Sequence, residues 1–102
     1  MVSKPILFID IEAQKEIDEA IEYYETVREG LGFEFYNYLD GYFKTLQQNK
    51  AQFQIKRKPI FRELPLKRFP FVIIYEHNYQ EIYIYSVFNT NQNPKHKKTG
   101  IN

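Results

Sequence analysis

The chain has 102 residues, the length of one compact domain, and 43% of them are hydrophobic and 18% aromatic, which is ample material for a packed core. It contains no cysteine, which excludes disulfides and thiolate chemistry. Its formal net charge is +1, but residues 1–49 carry four basic and ten acidic side chains, a net charge of −6, whereas residues 50–102 carry ten basic and three acidic ones, a net charge of +7. Such asymmetry arises either from one face that binds a polyanion or an acidic partner, or from an acidic helix lying beside basic strands and loops.

The first ten residues contain one apolar run, ILFI, which an acidic residue follows. This run is too short for a signal peptide or a membrane span. We therefore expect a cytosolic protein with no membrane partner, and a single domain over residues 1–102.

The first half of the chain predicts a strand and a helical hairpin. Residues 5–11 alternate as a strand, with Ile6, Phe8 and Asp10 on one side. Apolar residues then recur at intervals of three and four, which predicts an amphipathic helix over residues 12–28. Glycines 30 and 32 end this helix, and a second helix follows with a core stripe at Leu31, Phe35, Leu39, Tyr42 and Leu46.

The second half predicts strands. Residues 53–58 and 60–64 are interrupted by a proline, and residues 69–76 and 81–89 are the clearest strands in the chain. The intervening residues 77–80 predict a tight hairpin loop, in which Asn78 is the best candidate for a positive backbone φ angle. Both clear strands are apolar on both sides, so they should be central, and the faces predicted for the second are Ile82, Ile84 and Phe88 against Tyr83, Tyr85 and Val87.

One face of this sheet can be covered by the helical hairpin, which leaves an aromatic face that needs another cover. The fold class is therefore α+β, with elements in the order β-α-α-β-β-β and the hairpin packed on one face of an antiparallel sheet. The polar residues 91–102 form a basic tail that we expect to be flexible.

Several kinds of site are disfavoured by the sequence. The four glycines form no phosphate-binding loop. The two histidines lie far from each other and from acidic residues at ligand spacing, so we expect no metal and no cofactor. A nucleotide-dependent enzyme is accordingly disfavoured.

The remaining candidates are basic and aromatic. Cations beside exposed aromatic rings suit phosphate contacts and base stacking. Arg62 belongs to one basic and aromatic set with Tyr83 and Tyr85, and the candidate target- or nucleic-acid-binding residues are Arg57, Lys58, Arg68, Lys95, Lys97, Tyr83 and Tyr85. Such a set can also cleave RNA without a metal, if an arginine stabilises the phosphorane charge and a histidine transfers a proton. Each cation taken alone is better explained as a solvated charge at the rim of the sheet.

Four segments in order across the chain resemble the RelE/ParE toxins of bacterial type II toxin-antitoxin systems, which are also associated with plasmid stabilization. These are EAIEYYE, GLGFEFYNYL, FRELPLKRFPFVIIYE and IYIYSVFNTNQNP. The resemblance implies a small α+β fold and a cognate antitoxin that wraps the toxin, with operator DNA bound only through the antitoxin complex. It implies either inhibition of DNA gyrase, as in ParE-like members, or cleavage of messenger RNA on the ribosome, as in RelE-like members.

The long helices look more like those of the ParE type. In a ribonuclease, Arg62 and His96 would be the catalytic residues, because Arg62 matches a position where the family often has arginine. Phe71, Asn89 and the Asn91-Gln92 pair depart from residues that are common in the family, and these departures disfavour the ribonuclease. A third interpretation is a non-toxic interaction module with the same fold.

Overall fold

The computed structural model describes residues 4–48, 61–78 and 80–91. Within them, the chain forms four strands and two helices in the predicted order β-α-α-β-β-β. The elements are β1 (Ile6–Ile9), α1 (Ile11–Val27), α2 (Leu31–Gln48), β2 (Phe61–Pro65), β3 (Phe71–His77) and β4 (Glu81–Asn89). The strand predicted over residues 53–58 and the basic tail from residue 92 lie outside the described residues.

Helix α1 begins directly after β1. The side chain of Asp10 accepts a hydrogen bond from the backbone N–H of Glu12 at 3.0 Å, which satisfies one of the free donors at the helix start. The apolar stripe of the helix buries Ala13, Ile17 and Ala20. The observed bounds therefore agree with the predicted helix to within one residue at each end.

The turn between the helices depends on glycine and on one carboxylate. Gly30 has a φ of 87°, a backbone conformation that glycine adopts without strain. The Glu25 carboxylate accepts hydrogen bonds from the backbone N–H groups of Gly30 at 2.8 Å and Gly32 at 3.0 Å. A side chain of α1 thus caps the start of α2, where the helix dipole favours a negative charge.

The two helices approach each other closely at Gly32. A Cβ atom at this position would lie 2.5 Å from the backbone oxygen of Ile21. Beyond this contact, α2 buries Phe35, Leu39 and Leu46 as predicted, together with Phe43, whereas the predicted stripe members Leu31 and Tyr42 are only partly buried against the same core.

The sheet has the strand order β1-β4-β3-β2. Strands β2, β3 and β4 are antiparallel, and β1 pairs with β4 in the parallel sense. The α+β fold class is confirmed, and β3 and β4 are the central strands, as expected. The parallel strands β1 and β4 are separated in the chain by the helical hairpin, β2 and β3, so no tight turn has to join them.

A β-bulge in β4 changes which of its side chains lie on each face of the sheet, so the predicted assignment is wrong for the end of the strand. The register passes from Ile74 opposite Ser86 to Tyr75 opposite Ile84, so that Tyr85 is the extra residue. After the bulge the alternation is shifted by one residue. Val87 therefore joins Ile82 and Ile84 in the main core, and Phe88 lies with Tyr85 on the opposite face.

The β3–β4 loop differs from the prediction at Asn78. Within the described ranges no residue other than Gly30 has a positive φ, so the predicted positive angle at Asn78 is wrong. Instead, its side-chain oxygen accepts hydrogen bonds from the backbone N–H groups of Gln80 and Glu81 at 3.0 and 2.9 Å. The asparagine thus makes the turn through its side chain, as Asx-turns do.

The main core lies between the helical hairpin and one face of the sheet. We call this face the helix side and the opposite one the open face. A small second cluster, Val72, Ile74 and Phe88, is buried on the open face with Tyr85 packed against it. Neither helix, as described, is long and apolar enough to cross a membrane.

The Gly32 contact predicts opposite effects for two identical substitutions in one helix. Gly32→Ala should lower the free energy of unfolding by about 1 to 3 kcal/mol, because the new methyl group overpacks the contact with α1. Gly41→Ala should raise it by about 0.5 to 1 kcal/mol, because no atom lies within 4 Å of the new Cβ and alanine favours the helix. Urea unfolding of both variants measures the difference, and a Gly32→Ala protein as stable as the wild type would contradict the close approach.

Candidate target-binding surface

A row of four aromatic rings crosses the open face. Ring centroids are 6.3 Å apart for Phe8 and Tyr83, 4.6 Å for Tyr83 and Tyr85, and 5.0 Å for Tyr85 and Phe61. These separations are typical of interacting aromatic pairs. The row runs from β1 through β4 to β2, and we call it the aromatic row.

Both ends of the aromatic row are exposed. Phe8 retains 42% and Phe61 59% of its accessible surface, and Ile6, next to Phe8 on the same side of β1, retains 60%. A contiguous apolar surface of this kind is usually a binding site. The alternation of β1 that places Ile6, Phe8 and Asp10 on one side predicted this end of the row.

The two tyrosines of the row donate hydrogen bonds to carboxylates. The Tyr83 hydroxyl donates to Asp10 Oδ1 at 3.1 Å, and the Tyr85 hydroxyl donates to Glu76 Oε1 at 2.8 Å. The bond to Asp10 is the main cause that raises the pKa of Tyr83. Burial, reinforced by the bond to Glu76, raises the pKa of Tyr85 to about 12. Asp10 therefore links the aromatic row to the N-terminus of α1, which the same carboxylate caps.

The predicted catalytic residue Arg62 lies on the helix side of the sheet. Its cross-strand neighbour is Tyr75, which belongs to the main core. Burial raises the pKa of Tyr75, against an opposing effect of the Arg62 charge. Burial and then the Arg62 charge lower the pKa of His77. Arg62 is therefore separated from Tyr83 and Tyr85 by the sheet, although the sequence grouped all three as one basic and aromatic set.

Arg68 is part of a contact between the β2–β3 loop and the helices. Its guanidinium lies 2.7 Å from Glu34 Oε1, and Arg28 lies 3.2 Å from Glu34 Oε2. The hydrogen bond from Arg68 is the main cause that lowers the pKa of Glu34. The Arg68 guanidinium also lies over the Phe69 ring, 4.9 Å from its centroid. A role of Arg68 in target binding stays a prediction, and it would have to compete with these contacts.

Two tyrosine hydroxyls of α2 hold the same loop. The backbone N–H of Lys67 donates to the Tyr42 hydroxyl at 3.2 Å, and that of Arg68 donates to the Tyr38 hydroxyl at 3.1 Å. The loop ends at Pro70, and β3 begins at Phe71 rather than at the predicted residue 69. A proline at this position costs the sheet no hydrogen bond, because it lies outside the strand. Lys67 and Arg68 thus lie in the loop just before the start of β3.

The remaining predicted site residues lie outside the described residues. They are Arg57, Lys58, Lys95, His96 and Lys97. Sequence reasoning missed Asp10 and Glu76 as partners of the two tyrosines, and Phe8 and Phe61 as the ends of the aromatic row. The alternation in β1 contained a signal for Asp10, whereas the contact of Phe61 with Tyr85 joins strands whose order in the sheet the sequence does not give. In the described part of the chain, no group of three or more His, Asp or Glu side chains is placed to hold a metal ion.

Comparison with known proteins gives a likeness to a solved structure. No family model matches the sequence, and no curated protein matches it. The structure is similar to a chain of the solved structure "Chromosomal ParDE TA system from P. aeruginosa", with a TM-score of 0.70, and the match covers 86% of this chain and 98% of that one. The two chains share one fold. Their sequence identity is 21%, and the likeness confirms the fold that the resemblance to the RelE/ParE toxins implies.

Burial of Tyr85 and its contact with Glu76 together raise the pKa of this tyrosine, which should therefore ionise only at very high pH. Because the pKa is about 12 in the folded chain against an ordinary value of 10, the contact stabilises the fold fully below pH 10, and this contribution is lost as the pH rises through 12. The difference in tyrosinate absorbance between the wild type and the Tyr85→Phe variant reports the titration of Tyr85 alone. Plotted against pH, this difference should have its midpoint near 12. Glu76→Gln should lower that midpoint but leave it above 10, because burial is the larger cause. A midpoint near 10 in the wild type would contradict the contact.

Proposed function

We propose that this chain is the toxin of a type II toxin-antitoxin module and that it inhibits DNA gyrase, as ParE-like toxins do. The observation that carries the proposal is the fold likeness to a chain of the ParDE system, which extends over 98% of that chain. The four sequence segments that resemble RelE/ParE toxins support it independently. The partner is a cognate antitoxin that neutralises the toxin, and operator DNA is bound only through the complex of the two.

The distribution of charge on the described residues favours gyrase inhibition over RNA cleavage. A ribonuclease needs cations at the scissile phosphate together with groups that transfer protons. Arg62 lies on the helix side, and the two tyrosines that were grouped with it lie on the open face, where they donate to carboxylates. Carboxylates beside a phosphate would repel it. Because they lie on opposite faces of the sheet, Arg62 and the aromatic row do not contact the same phosphate group.

The test is a supercoiling reaction with purified gyrase, relaxed plasmid and the purified chain. We expect supercoiling to decrease with increasing concentration of the chain, and a parallel relaxation reaction with a type I topoisomerase to remain unchanged. The same preparation added to a cell-free translation reaction should leave the messenger intact when its 5′ ends are mapped.

Two outcomes would contradict the proposal. New 5′ ends that depend on translating ribosomes would identify the RelE-like ribonuclease, and Arg62 and His96 would be the first residues to substitute. A chain that affects neither gyrase nor messenger would correspond to the non-toxic interaction module.

A further inference from the structure

In the described strands, the charged side chains on the same face as the aromatic row are acidic. Among the charged residues of these strands, Arg62 lies on the helix side, whereas Glu63, Glu76 and Glu81 lie on the open face by their register with Ile74, Tyr83 and Ile6. Asp10 adds a fourth carboxylate at the Tyr83 hydroxyl. An anionic ligand would meet repulsion on this surface, and a cationic ligand would meet attraction.

The geometry of the two central rings suits a cation. The rings of Tyr83 and Tyr85 are 4.6 Å apart, and each hydroxyl donates to a carboxylate. Donation to a carboxylate increases the electron density of a phenol ring, and an electron-rich ring attracts a guanidinium or ammonium group placed over its face. A carboxylate can also accept more hydrogen bonds than a single hydroxyl supplies. A side chain from a partner could therefore contact a ring and a carboxylate at once.

The ends of the row suit apolar side chains. Phe8, Phe61 and Ile6 are each more than 40% exposed, and they flank the two tyrosines on β1 and β2. A free inorganic ion or a small cation would leave these surfaces uncovered. A polypeptide segment with apolar residues on both sides of an arginine or lysine would cover them.

We infer that the open face is the docking site for a segment of a partner protein in which an arginine or lysine, flanked by apolar residues, lies over the Tyr83–Tyr85 pair between the Asp10 and Glu76 carboxylates. The charge complementarity selects a basic segment, and the exposed ends of the row select its apolar neighbours. The inference is independent of gyrase inhibition, since it concerns the described surface alone.

The experiment is a selection from a randomised displayed-peptide library on the full chain, followed by affinity measurements with the selected peptides in synthetic form. We expect enriched peptides to carry arginine or lysine beside apolar residues. Phe61→Ser removes apolar contact area and Glu76→Gln removes a charge, and each should weaken peptide binding about tenfold.

Matched controls lie on the helices. Phe33→Ser replaces another phenylalanine that is 68% exposed, and Glu22→Gln replaces an exposed carboxylate of α1. Both should leave peptide affinity unchanged. Thermal unfolding followed by circular dichroism verifies that each variant is folded, and Glu76→Gln retains an acceptor for the Tyr85 hydroxyl.

Four results would overturn the inference. The library could yield no binder, or only acidic or uncharged peptides. Selected basic peptides could bind the Phe61→Ser and Glu76→Gln variants as tightly as the wild type. A polyuridine RNA could bind in a manner that these two substitutions abolish, which would assign the face to nucleic acid. Finally, sedimentation could reveal a dimer that Phe61→Ser dissociates, which would assign it to a second copy of the chain.

Discussion

The carboxylate of Glu16 on α1 makes the contact on which the two faces of the sheet depend. Its Oε1 accepts hydrogen bonds from the Ser86 hydroxyl at 2.8 Å and from the backbone N–H of Val87 at 2.9 Å. The described pairing of β1 with β4 stops at Ile84, so the backbone of β4 beyond that residue needs another acceptor. Glu16 supplies it directly after the bulge. Because the bulge shifts the alternation by one residue, it places Val87 in the main core and Phe88 on the open face.

The same arrangement separates the charges. The helices cover one face of the sheet, and Arg62 lies on that side beside Tyr75 and His77. Arg68 is held by Glu34 at the β2–β3 loop. The described strands therefore present aromatic rings and carboxylates on the open face, which is the composition of a surface for a basic protein segment rather than for a phosphate backbone. The acidic helix and the basic second half of the chain do not combine into one basic face within the described residues.

Most of the fold could be predicted because its signals are local. The change from period two to period three or four marked β1 and α1, the glycines marked the hairpin, and the bounds predicted for the last strand agree with those of β4. Two features were not predicted, one that involves a tertiary contact and one that is local. The bulge at Tyr85 is followed directly by the hydrogen bonds of Ser86 and Val87 to Glu16 on α1, which is distant in the sequence. The turn at Asn78 is local, but an asparagine can make a turn either with a positive φ or through its side chain, and here it uses its side chain. A strand pattern also does not tell which of two faces the helices cover, so Arg62 and the two tyrosines were grouped although the sheet separates them.

The central claim is that the chain acts as a toxin without Arg62-dependent chemistry, and induced expression in a bacterial host tests it most directly. The wild-type chain and the Arg62→Ala variant should both arrest growth, with immunoblots establishing equal protein levels. Growth that continues when the wild-type chain is expressed would contradict the toxin itself. If the wild type arrests growth and Arg62→Ala relieves the arrest at an equal level of folded protein, then toxicity depends on Arg62. That result would contradict toxicity without Arg62 and favour the ribonuclease.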